Sequence, residues 1–362
     1  MRARRAFVVA AGLLVVGCQT QPTGEPSLPP PRLISGDLTL APGCAGASQS
    51  PGHPGEPSLA VDPTNQHRLV AAWLDNRSPD LVGVVVATSE DGGGHWRRSA
   101  LTPLLACSGG NYLHASDPWV SIGPDGLIYL ATLVRRAATT SGTPYDVVVS
   151  VSADHGVSWE APVVVQSATA PASQLDKEAI LADRRHPGTA YAVWADYPGT
   201  PGSESSVDSV MFARTTDGGH SWSAPVALYS GHDEAQQNQL LMTAGGLLLD
   251  VFVEGASLPA GAAPPALPVK VRVMRSKDQG QTWSPPIDAA NFTYTTATDP
   301  GKGTELRASG QDIVATVAGN AIYVSWFEDH RDFSSILVGR SDEAGQTWEA
   351  PHLVVRERSE VF

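Results

Sequence analysis

Apolar residues recur along this chain in short runs rich in Val, Ile, Leu and aromatics, and the runs end at Gly, Pro, Asp or Ser. That pattern predicts strands and turns, not long helices. One set of runs covers Ser58–Val61, Trp119–Ile122, Glu178–Leu181, Gln239–Met242 and Ile313–Val317. A second follows at Leu69–Asp75, Ile128–Val134, Ala190–Asp196, Leu247–Glu254 and Ile322–Glu328. A third is clear at Gly83–Ala87, Val147–Val151 and Val207–Phe212, each leading into a glycine-bearing turn and a fourth strand. Four strands per unit, repeated around an axis, predict an all-β fold, a β-propeller of four-stranded antiparallel blades. Five complete blades are counted.

The turns repeat one pattern: SEDGGGHW (89–96), SADHGVSW (152–159), TTDGGHSW (215–222), SKDQGQTW (276–283) and SDEAGQTW (341–348). Their tryptophans lie 63, 63, 61 and 65 residues apart. Ser, Thr and Asp can bond backbone amides inside a tight turn, Gly supplies a positive φ, and Trp brings a large apolar face to the next strand. The reading is structural for Asp91, Trp96, Asp154, Trp159, Asp217, Trp222, Asp278, Trp283, Glu343 and Trp348. Of the other tryptophans, Trp73, Trp194 and Trp326 share a second-strand position and Trp119 sits on a first strand.

This Ser-x-Asp-x-Gly-x-Thr-Trp pattern resembles the Asp box of the sialidase-like (BNR-repeat) superfamily, over about residues 56–351. The resemblance implies a propeller, with six blades in family sialidases. Leu33–Leu40 is the one spare strand, so a six-bladed closure stays open.

Composition narrows the function. With 24 Lys+Arg against 37 Asp+Glu, the formal charge is −13, which argues against a nucleic-acid partner. The start carries Arg2, Arg4 and Arg5, then a short apolar run, Phe7–Val16, then Gly17 and Cys18. That order describes an export signal, and the run is too short to span a bilayer. Val15–Cys18 resembles the bacterial lipobox, which implies lipidation of Cys18. The expected organisation is a lipoprotein signal peptide over 1–18, a Pro-rich tether over 19–31 and the propeller over 32–362. The expected location is the bacterial envelope, lipid-anchored at the outer membrane or cell surface. The only membrane contact is through that lipid, and a monomer is expected. Cys44 and Cys107 remain; in an oxidising compartment they read as one disulfide, against the alternative of two free thiols.

Strand direction separates the two faces. Asp boxes and the turns between strands one and two open on one face; the loops between strands two and three and between blades open on the other. Function is expected on that second face. Second strands exit there with Asp75, Asp196, Glu254 and Glu328; first strands enter with Glu56, Asp117 and Asp176. Arg77, Arg135, Arg136, Arg307 and Arg331 are interleaved, with His114, His232 and His330 on the same loops. The candidate ligand-binding set is Asp75, Arg77, Asp117, Arg136, Asp176, Asp196, Glu254, Glu328 and Arg331. The bland alternative is that the acids cap strand ends and pair with the arginines. Crowded carboxylates raise one another's pKa unless counter-charges intervene. Ca²⁺ would accept such oxygens, but the spacing is not a Ca²⁺ loop, so no metal site or cofactor is assigned.

In family sialidases three arginines clamp the sugar carboxylate, a Tyr backed by a Glu is the nucleophile, and an Asp is the acid/base. The Phe/Tyr-Arg-Ile-Pro signature is missing here, and no Tyr follows Tyr323. An acidic funnel also discourages an anionic sugar. No catalytic residue is assigned, and whether the chain is an enzyme stays open. Two functions are carried forward: a surface-anchored propeller binding a glycan, peptide or protein on the loop face, and a glycoside hydrolase of the exo-α-sialidase-like group.

Overall fold

A computed structural model describes residues 34, 53–78, 81–101, 104–137, 144–168, 173–197, 207–255, 267–294, 313–330 and 333–358. All but Ile34 belong to one compact unit, residues 37–362. Twenty strands form five four-stranded sheets, each an antiparallel meander in chain order. Blade one is β1 (His53–Val61), β2 (Leu69–Ser78), β3 (Leu81–Ser89) and β4 (Arg97–Ala100). Blade two is β5 (His114–Ile122), β6 (Ile128–Arg135), β7 (Tyr145–Ser152) and β8 (Val163–Ser167). Blade three is β9 (Leu175–Ala182), β10 (Ala190–Asp196), β11 (Asp208–Thr215) and β12 (Val226–Gly231). Blade four is β13 (Glu234–Met242), β14 (Leu248–Gly255), β15 (Leu267–Ser276) and β16 (Ile287–Tyr294). Blade five is β17 (Ile313–Ala318), β18 (Ala321–His330), β19 (Phe333–Ser341) and β20 (His352–Arg358).

The fold is the five-bladed, all-β propeller expected from the repeat. First strands are innermost: β1 touches β5, β5 touches β9, β9 touches β13 and β13 touches β17. Trp73, Trp194 and Trp326 share a register position, opposite Val85, Met211 and Leu337. The core lies between blades. Val70, Ala72 and Val84 of blade one, for example, pack with Val120 and Leu130 of blade two.

The boxes hold neighbouring blades together. In blade four Ser276 Oγ receives the Gly280 amide at 2.8 Å and donates to Asp278 at 2.8 Å. Asp278 receives the Thr282 amide at 2.8 Å and the Thr282 hydroxyl at 2.5 Å. These bonds hold the Asp278 carboxyl down at about 2, with Thr282 the largest cause. The turn presses Gly280 (φ +78°) against the previous blade, where a β-carbon would stand 2.3 Å from Phe212. Trp159, Trp222, Trp283 and Trp348 each enter the apolar cluster of the preceding blade. Trp159 is buried and the other three are partly buried; truncating a buried aromatic such as Trp159 costs roughly 3–5 kcal/mol.

Blade one has no such predecessor among the described residues. Trp96 turns its indole N–H to its own turn, donating to the Gly93 carbonyl at 3.1 Å. Leu59 is 63% exposed, although its register counterparts Val120, Ile180 and Leu240 are buried. Val314 of blade five is likewise exposed. β17 and β1 share no contact comparable to those between the other first strands. Leu33–Leu40, apart from Ile34, lies outside the described residues, as do the signal, Cys18 and the tether. Cys107 is disulfide-bonded; Cys44, the partner expected from sequence, lies outside the described residues.

Candidate functional site

The face opposite the boxes is shaped by one repeated irregularity. Each of the first four blades carries a bulge near the start of its first strand. The bulged residue is left-handed and never Gly: Glu56 (φ 51°), Asp117 (φ 50°), Lys177 (φ 53°) and Gln237 (φ 59°). A positive φ outside Gly costs of order 1 kcal/mol or more and collects at functional sites, as do bulges that re-aim side chains. Lys177, not Asp176, therefore occupies the place equivalent to Glu56 and Asp117. The sequence reading opened the blade-three run at Glu178, one residue before Ala179, the register counterpart of Ser58 and Trp119, and so assigned the neighbour.

Successive bulges touch. Glu56 of blade one accepts the Asp117 backbone amide of blade two at 3.1 Å. Lys177 of blade three reaches back to the Asp117 carboxylate at 3.3 Å. Asp176 accepts the Lys177 amide at 2.9 Å. Glu178, the second bulge residue, is 3% exposed, and neither of its carboxyl oxygens has a hydrogen-bond partner. Burial, then Asp117 and Asp176, push the Glu178 carboxyl well above the usual range, with Lys177 opposing. Burial and Asp117 also raise Glu56. Burial alone would lower the Lys177 ammonium; Asp117, Asp176 and Glu56 more than offset it. Asn238 holds the equivalent second position in blade four, is also buried, and lacks partners on both amide atoms.

A second acidic group lies between blades three and four. Burial, Asp208 and Asp176 raise Glu234 to about 6. Burial, then Glu234, Asp176 and Asp208, raise Tyr197, whose hydroxyl donates to Gln236 at 3.4 Å.

Three second-strand acids behave differently: Asp196, Glu254 and Glu328 are engaged at their strand ends. Asp196 receives the Gln166 amide at 2.8 Å and the Ser173 hydroxyl at 2.6 Å. Glu254 is held by Tyr229 and Arg272. Glu328 receives the Trp326 indole N–H at 3.3 Å. Asp75 is buried on β2. Arg136 pairs with Asp146 at 3.0 Å and donates to the Ala168 carbonyl at 3.1 Å. The Arg77 side chain and Arg331 lie outside the described residues. Of the candidate set, then, Asp117 and Asp176 come together around Lys177, while Asp196, Glu254, Glu328 and Arg136 are engaged locally.

Lys177, Glu178, Tyr197, Asp208, Glu234 and Asn238 were missed by the sequence reading. Glu178 carried a signal: it is a charged residue opening an otherwise apolar first-strand run. Tyr323 accepts a hydrogen bond from Arg340 at 3.2 Å, with that guanidinium over its ring. Among the described residues no group of three or more His, Cys, Asp or Glu side chains is arranged to hold a metal ion. On the box face a shallow cleft between blades one and two is lined by Asp62, Arg68, Glu90 and His155. Its charges are paired internally, Arg68 with Asp62 and Glu90. Asp250 on β14 is fully buried opposite Leu240 and Met274, its oxygens have no partner, and burial alone pushes it up to about 8.

Residues 188–361 match the family model described as a BNR repeat-like domain. No curated protein matches the chain by sequence. Among solved structures, an α-L-arabinanase of Penicillium chrysogenum, complexed with arabinobiose, is 16% identical with a TM-score of 0.53, covering 82% of this chain and 80% of its own. An α-L-arabinofuranosidase of Fusarium graminearum is 16% identical with a TM-score of 0.53, covering 86% and 83%. A sialidase of Streptococcus pneumoniae is 13% identical with a TM-score of 0.55, covering 88% of this chain but 62% of its own. At these identities the likeness is one of fold.

Proposed function

We propose that this five-bladed β-propeller, whose residues 188–361 match a BNR repeat-like model, is an exported, lipid-anchored protein that binds a glycan at the mouth opposite the Asp boxes. The observation that carries this is the contrast between the two sets of acids. Asp196, Glu254 and Glu328 of the second strands are engaged by local partners, whereas the bulged first strands bring Glu56, Asp117, Lys177 and Glu178 together across three blades. Strained backbone and a buried, unpartnered carboxyl are costs that a bound ligand can offset. A glycan is chosen over a peptide because the arabinanase and sialidase neighbours are named for action on saccharides. The excess of carboxyls disfavours an anionic sugar.

The test is a glycan array probed with the purified chain. Binding to uncharged or cationic glycans, weakened in Asp117→Asn, supports the reading. Binding to none, or binding unchanged in Asp117→Asn, overturns it.

A hydrolytic reading draws on the same residues. Glycoside cleavage uses a pair of carboxyl groups of which one is held above its usual range, and Glu178, raised by burial and by Asp117, offers that half. The Glu178 oxygens are covered in this structure, which favours binding over hydrolysis. Release of nitrophenol from an aryl-glycoside panel, abolished in Glu178→Gln, would put hydrolysis in its place.

A further inference from the structure

Resting on the glycan reading and sharpening it, we propose that the mouth takes a saccharide bearing a free primary ammonium, an amino sugar, seated among Glu56, Asp117, Asp176 and Glu178 where the Lys177 ammonium now stands. Four carboxyl side chains act on one another there, and Lys177 is the cation they share. Its Nζ is committed to Asp117 at 3.3 Å. Glu178 has no donor on either oxygen although it is 3% exposed. Arg135, from β6, acts on His114.

A buried carboxyl left without donors costs roughly 1–3 kcal/mol, and more when charged. A sugar hydroxyl brings one donor and no charge. An ammonium brings three donors and the opposite charge, so it can serve Glu178 and a neighbouring carboxylate at once. Lys177 already marks the region as one that holds an ammonium, and its side chain keeps 25% exposure on a flexible stem. Its movement would open the way to Glu178.

The experiment is titration calorimetry of the purified chain with a glucosamine tetramer and with the matching N-acetylglucosamine tetramer, which differ in the amine charge. Buffers of different ionisation enthalpy report protons released on binding. The expected result is at least about tenfold tighter binding of the free-amine tetramer, as for a buried charge pair, with proton release as Glu178 ionises. Glu178→Gln should bring the two tetramers to within about threefold and abolish the release. Asp117→Asn, at a more exposed position, guards against a folding defect in the first variant and should narrow the gap as well. Equal affinity for the two tetramers, or a preference untouched by both variants, overturns the proposal. If neither tetramer binds while other glycans on the array do, this proposal falls and the glycan reading stands; binding to no glycan at all overturns both.

Discussion

Gly280 lies against Phe212 so closely that an added β-carbon would stand 2.3 Å from the ring, and the two residues belong to different blades. The Asp-box turn is therefore an inter-blade contact as well as a hairpin.

Gly280→Ala should be strongly destabilising, because it adds a ring clash to the strain at φ +78°. A loss of roughly 2–4 kcal/mol is expected. At Gly93 (φ +91°) the nearest atom to an added β-carbon is Leu69 Cδ1, at 3.5 Å. Gly93→Ala should cost only the backbone strain, about 1 kcal/mol. Urea unfolding of both variants checks this, and equal losses would refute the inter-blade role of the turn.

Asp250 should make the fold weaken as the solution turns alkaline. Its folded-state carboxyl sits at about 8 against an ordinary 3.8. Stability from this group is full below pH ~3.8 and is lost as pH rises towards 8, because only the unfolded state ionises in that window. The slope is about 1.4 kcal/mol per pH unit at most. Asp250→Leu should remove this component; the difference between wild-type and variant unfolding free energies from pH 5 to 9 measures it.

Asp278 has the opposite sign. Hydrogen bonds from Thr282 hold it at about 2, so its contribution is present above pH ~3.8 and disappears as pH falls towards 2. Asp278→Ala should lower the melting temperature at pH 7 and narrow the gap to wild type in acid. Glycan binding, on the far face, should persist in the folded variant.

Gln239 ties blade four to blade five. Its Oε1 receives the Ala315 amide at 2.8 Å and its Nε2 donates to the Ile313 carbonyl at 2.5 Å. Gln239→Ala should speed hydrogen exchange at Ala315 by roughly ten- to a hundredfold, as expected for the loss of about 1–3 kcal/mol. Exchange in blade two should not change.

The blades were legible because the box is a local device: Ser276, Asp278 and Thr282 bond within eight residues, and their spacing survives in the sequence. The mouth was only partly legible. Lys177 fills the slot that counting gave to Asp176, because the apolar run of blade three was opened at Glu178 rather than at Ala179. Glu178 stood inside an apolar run, so it was read as the edge of a strand. The fates of Asp196 and Glu254 depended on Gln166, Tyr229 and Arg272, which come from other strands and share no spacing rule with them. Long-range pairing of this kind is decided by packing.

The four left-handed corners and the tryptophan-bearing turns sit at opposite ends of the same sheets. Substitutions at positions 56, 117, 177 and 237 can thus redraw what the mouth accepts while leaving the Asp-box contacts between blades in place. Such a molecule is open to diversification: relatives could share its frame, trade residues at these corners, and recognise different molecules.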